Sequence, residues 1–150
     1  MLLVALTLLL AGCATPECEL GTVALNLAGA GAEDCGKVAV GGDSTAVDTC
    51  AVAALQAGTP FVAQREEQGI DSQVTSALAY DGTHLVSLYR DSDPSGGSDV
   101  GAVIWLNLCS SATVEPGDEG HDVVFCGEPS CSCELEGCAD DGLAGTCCPV

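Results

Sequence analysis

The chain has 150 residues and a formal charge of −19, with 22 acids set against only Lys37, Arg65 and Arg90. That balance excludes nucleic acid as a partner, because phosphate contacts need a basic face. It equally excludes charge-driven binding to anionic lipid headgroups.

The first element in chain order is a leader. Leu2 to Ala11 is apolar except for Thr7 and carries no Lys or Arg. The run is about half the ~20 residues that span a bilayer and has the length of a signal-peptide core. Small residues at Ala11 and Gly12 leave the backbone open to a peptidase just before Cys13. Leu10-Ala11-Gly12-Cys13 resembles the lipobox of bacterial lipoproteins. That resemblance implies removal of residues 1–12, a lipid on Cys13 and attachment to the membrane through that lipid. Ala14 stands where an Asp would be the retention signal in enterobacterial sorting, so the resemblance points to the outer membrane of the cell envelope.

The remaining 138 residues suit one domain. Residues 13–44 read as a tether and lead-in segment, in which Val23, Leu25 and Leu27 alternate as in a strand and 28–32 form an Ala-Gly linker. The spacing of Val47, Cys50, Ala51, Ala54 and Leu55 predicts a helix over 45–57 with one buried stripe. Ser44 or Thr45 can cap its start, Asp48 favours its first turn, and Gly58 with Pro60 ends it. Beyond Pro60 the pattern changes to strands at 61–67, 72–80, 84–90 and 100–108, with a hairpin turn at Asp81-Gly82. The expected fold is α+β: one amphipathic helix on an antiparallel meander, with the core at 45–109 and an acidic, cysteine-rich, irregular tail at 110–150. All five aromatics lie in 61–125, which places the core there.

With Cys13 assigned to lipid, ten cysteines remain: Cys18, Cys35, Cys50, Cys109, Cys126, Cys131, Cys133, Cys138, Cys147 and Cys148. An even number in an exported chain reads as disulfides. Nearness in sequence suggests Cys18 with Cys35, Cys50 with Cys109, and three bridges within 126–148. Adjacent Cys147 and Cys148 are not expected to bond each other, since their Cα atoms lie only ~3.8 Å apart. The tail's C-x-C and C-C pairs also resemble metallothionein thiolate clusters, but close thiols in an oxidising compartment form disulfides more readily.

A cation site is the other chemistry to weigh. From Asp91, oxygen ligands Asp91, Asp93, Ser95 and Asp99 fall at positions 1, 3, 5 and 9, with Gly96 at 6, as in a helix–loop–helix calcium loop. Position 12 is Ala102 instead of a bidentate Glu, and the flanks read as strands. A polar hairpin loop accounts for the same residues. His121, amid Asp118, Glu119 and Asp122, reads as part of a solvated acidic loop, and His84 as an exposed strand end. No G-x-S-x-G, H-E-x-x-H or phosphate-binding Gly loop occurs. A hydrolase would need a pocket around Asp71, His84 and Asp91.

The stretch from Asp34-Cys35-Gly36 through Gly58-Thr59-Pro60-Phe61 and Gly69-Ile70-Asp71-Ser72 to Cys109 resembles small uncharacterised exported lipoproteins of myxobacteria. This implies an envelope location and a one-domain fold, and brings no activity with it. The expected function is therefore non-catalytic: a binding or structural module on the envelope, without cofactor, or alternatively a calcium or other cation-binding exported protein using the 91–99 loop or the acidic tail.

Overall fold

A computed structural model describes residues 19–70, 72–91, 104–118 and 120–135. The elements run α1 (Leu20–Ala28), β1 (Glu33–Val38), α2 (Thr45–Ala57), β2 (Phe61–Gln68), β3 (Gln73–Tyr80), β4 (Leu85–Asp91), β5 (Ile104–Cys109), β6 (Ala112–Pro116), β7 (Asp122–Cys126) and β8 (Pro129–Leu135). Six strands form one sheet in the order β1-β2-β3-β4-β5-β8, while β6 and β7 pair as a separate hairpin. β1 runs parallel to β2 and every other pair is antiparallel. The parallel pair exists because α2 carries the chain back between β1 and β2, as parallel neighbours require. The class is α+β.

One helix packs on each face of the sheet. On one face Leu20, Ala24 and Ala28 of α1, which lies over β2, β3 and β4, join Val62, Ala77, Ala79, Val86, Leu88, Ile104, Leu106 and Leu135 in one cluster. α2 covers Phe61, Ala63 and Leu85, with Leu78 and Tyr80 at the margin. Strand residues on both faces are buried, so β2 and β4 open on contiguous apolar pairs instead of strict alternation. Of the aromatics, Phe61 is fully buried, while Tyr89, Trp105 and Phe125 are exposed. Apart from Phe61, the core is thus built from aliphatic side chains and alanine.

α2 forms over the span its apolar spacing predicts. Gly58 takes the left-handed conformation (φ 67°) and returns its N–H to the last turn, the geometry for which glycine is preferred. Ser44 occupies the N-cap position but makes no capping bond; the Asp43 carboxylate accepts from the Thr45 N–H at 2.9 Å instead. The Asp81 side chain organises the turn between β3 and β4, accepting from the N–H groups of Thr83 and His84 at 2.7 Å each.

Several expectations need correction. The strand at Val23, Leu25 and Leu27 is helix α1. Its buried face is Leu20, Gly21, Ala24 and Ala28, and Leu25 is exposed. Small residues let this helix lie close to the sheet: a Cβ on Gly21 would come within 2.8 Å of the Gln64 side chain. The lead-in segment therefore supplies part of the core and an edge strand. The tail is not irregular over 112–118 and 120–135, where β8 joins the main sheet and β6–β7 packs beside α2.

The pairings expected from sequence proximity are replaced as well. Cys35 bonds Cys50, with Cα atoms 5.5 Å apart, and Cys109 bonds Cys126, with Cα atoms 5.2 Å apart. The Cys35–Cys50 bridge ties α2 to β1, on which it packs. Cys131 and Cys133 on β8 are also disulfide-bonded. Cys13, Cys18, Cys138, Cys147 and Cys148 lie outside the described residues. Among the described residues, no helix is long and apolar enough to cross a membrane.

Candidate functional site

The inner face of α2 carries a charge. Asp48 shares the stripe with Val47, Ala51 and Ala54 and is only 5% exposed. A buried carboxylate needs partners. β2 supplies the first: Arg65 alternates with Phe61 and Ala63 on the face under α2, and its Nη2 donates to Asp48 Oδ1. The turn of the β6–β7 hairpin supplies the second, because His121 Nε2–H donates to Asp48 Oδ2 at 2.8 Å. Ser44 supplies the third, its hydroxyl bonding to the carboxylate and lying 3.2 Å from the same His121 nitrogen. Burial pushes the Asp48 carboxyl upward. The hydrogen bonds from Ser44, His121 and Arg65, with the Arg65 charge, outweigh it and hold the group below the ordinary carboxylate value.

The hairpin turn that positions His121 closes on glycines. The Gly117 N–H donates to the His121 carbonyl at 2.8 Å, and Gly120 adopts φ 81°, a left-handed backbone that favours glycine. A Cβ on Gly117 would meet Val123 at 2.8 Å, so the turn has no room for a larger residue there.

Beside this cluster lies an open cleft of about 600 Å³. Its base is the α2 face of the sheet, with Ala63, Arg65, Glu67, Ser76, Leu78 and Ser87. Its end is Ser44, Asp48 and Ala51, and its outer wall is the hairpin, from Glu115 to Asp118 and Val123 to Phe125. Its carboxylates differ in kind. Asp48 is matched by Arg65 and His121, whereas no ion pair among the described residues reaches Glu67, Glu115 or Asp118. These three are exposed, and the cleft joins their negative charge to apolar walls from Leu78, Val123, Val124 and Phe125.

Ser44, His121 and Asp48 are the residue types of a hydrolytic triad, wired differently. A relay needs the carboxylate on one ring nitrogen and the hydroxyl on the other. Here both contacts fall on Nε2, and Ser44 is 3% exposed.

The residues singled out from sequence fall elsewhere. Asp91 closes β4, and Asp93, Ser95 and Asp99 lie outside the described residues. Among the described residues, no group of three or more His, Cys, Asp or Glu side chains is placed to hold a metal ion. His84 is half-exposed, pairs with Asp81 at 3.4 Å and does not line the cleft; Asp71 is outside the described residues. His121 corrects the reading of a solvated loop, since it is mostly buried against Asp48. Two signals could have found the cluster. Asp48 falls on its helix's apolar stripe, and Arg65 falls at an inward position between Ala63 and Glu67. Comparison with protein-family models, with curated proteins and with solved structures finds no match to this chain.

Proposed function

We propose that this is a lipid-anchored protein of the bacterial cell envelope, held at the outer membrane through Cys13, whose α+β module binds a small organic cation without transforming it. The cleft carries this reading. Its buried carboxylate is already satisfied from within, while Glu67, Glu115 and Asp118 leave net negative charge facing a cavity with apolar walls. Opposite charge concentrated in a cleft raises the local concentration of such a ligand. An amine-bearing organic molecule suits acids that are spread along the walls better than a metal ion, which needs its ligands converged. The shared Nε2 contact of Ser44 and Asp48 supports a non-catalytic role. The lipobox and the disulfides support export to an oxidising compartment.

The second reading, a calcium protein, draws on Asp91, Asp93, Ser95 and Asp99 in the loop. Calorimetric titration separates the two, with spermidine as one probe and calcium chloride as the other. Saturable heat with spermidine, lost in the E67Q/E115Q/D118N variant, is expected. No heat with spermidine, or heat unchanged in that variant, would overturn the cleft reading; heat with calcium alone would favour the loop.

A further inference from the structure

We infer that the β6–β7 hairpin is a hinged flap over the cleft, fastened at its turn by the His121–Asp48 contact and hinged at its base by the Cys109–Cys126 bridge. Among the described residues, the strands of the hairpin pair with each other and not with the main sheet. A two-stranded ribbon is marginally stable by itself, so its position depends on what it is fastened to.

Those fastenings sit at its two ends. At the base, Cys126 is bonded to Cys109 at the end of β5, and the Gly127 N–H donates to the Ser111 carbonyl at 2.9 Å. The connection there is covalent and holds position while the strands swing. At the turn, His121 meets Asp48 of α2. Between them, β7 lies along α2 with Val124 against the core, while Phe125 is half exposed, so opening must also part β7 from α2.

The partners of Asp48 make release inexpensive. Arg65 and Ser44 belong to the body of the molecule and only His121 belongs to the hairpin. When the turn lifts, the carboxylate keeps its guanidinium and hydroxyl, and no buried charge is orphaned. The imidazole passes to water. The same motion carries away the cleft wall that contains Glu115, Asp118 and Phe125 and uncovers Ser76 and Ser87. The flap thus regulates access to the site proposed above and rests on that reading for its purpose, although its motion can be tested without a ligand.

The experiment is hydrogen exchange by mass spectrometry on the ligand-free, disulfide-intact protein, comparing wild type, H121A and H121Q. Peptides covering 112–126 are expected to exchange faster than those covering β2–β4, because local opening is cheaper than global unfolding. In both variants the hairpin rate is expected to rise about tenfold, with the β2–β4 rate unchanged. Equal protection of hairpin and sheet in wild type would overturn the flap, as would a variant that accelerates both together. Local opening without spermidine binding leaves the flap standing and removes the cation reading; spermidine binding to a hairpin as protected as the sheet does the reverse.

Discussion

Asp48 concentrates the electrostatics of the molecule at one carboxylate, with partners on a helix, a strand and a turn. Replacing it with alanine leaves the Arg65 guanidinium without its counter-charge and the His121 N–H without its acceptor. The expected cost is about 2–3 kcal/mol, measured by denaturant unfolding, with Asp48→Asn costing less because it keeps an acceptor. The pH dependence has a definite sign. The Asp48 carboxyl is held low against a burial that pushes it up, and Asp81 is held low against burial by the His84 and Thr83 N–H groups. A carboxyl whose folded value is depressed contributes its stability in full above the ordinary value of ~3.9 and loses it as pH falls through the folded value. Melting temperature is therefore expected to drop below about pH 4, and Asp48→Asn is expected to flatten that drop. A variant as acid-sensitive as wild type would show that this carboxylate is not the group responsible.

At the scale of elements, legibility followed the size of the side chains that carry the pattern. α2 was readable because Val47, Ala51 and Ala54 repeat at helical spacing and Gly58 with Pro60 marks the stop. β2 to β4 were readable because Phe61, Val62, Val74, Thr75, Tyr80, Val86 and Tyr89 recur along them and Asp81-Gly82 marks a turn. α1 was hidden because its buried face is mostly glycine and alanine, which left the outward or marginal Val23, Leu25 and Leu27 to imitate a strand. β8 was hidden by its cysteines: they read as a knot, yet Cys131 and Cys133 pack beside the α1-side core. The cleft was legible only in pieces, since a charge on an inner stripe becomes a site only when a hairpin turn 73 residues away closes on it. Phe61, fully buried under α2 and tilted against Tyr80 with ring centroids 5.8 Å apart, anchors the α2 face. Phe61→Ala is expected to cost about 3–5 kcal/mol in chemical denaturation. A loss below 1 kcal/mol would mean that α2 is not seated as described.

For the whole molecule, a charge of −19 and a largely aliphatic core leave stability to chain topology and cross-links. The Cys35–Cys50 bridge closes a 15-residue separation between β1 and α2, and its removal by double serine substitution is expected to cost about 3 kcal/mol. Self-repulsion among the acids gives a further expectation. Raising sodium chloride from 0.01 to ~0.5 M shortens the Debye length from ~30 Å to a few Å, so the melting temperature is expected to rise. A fall on adding salt would mean that attractive pairs outweigh the repulsion. The proposed envelope anchor fits a molecule too acidic to bind anionic lipid by charge, and it leaves the cleft as the feature from which function is argued. The most direct measurement is a two-dimensional amide NMR titration of the lipid-free domain with spermidine. Saturable shifts are expected at Ser44 to Ala51, at Glu67 and Ser76 of the sheet, and at Glu115 to Phe125 of the hairpin. Shifts confined to other surfaces, or none at millimolar spermidine, would contradict it.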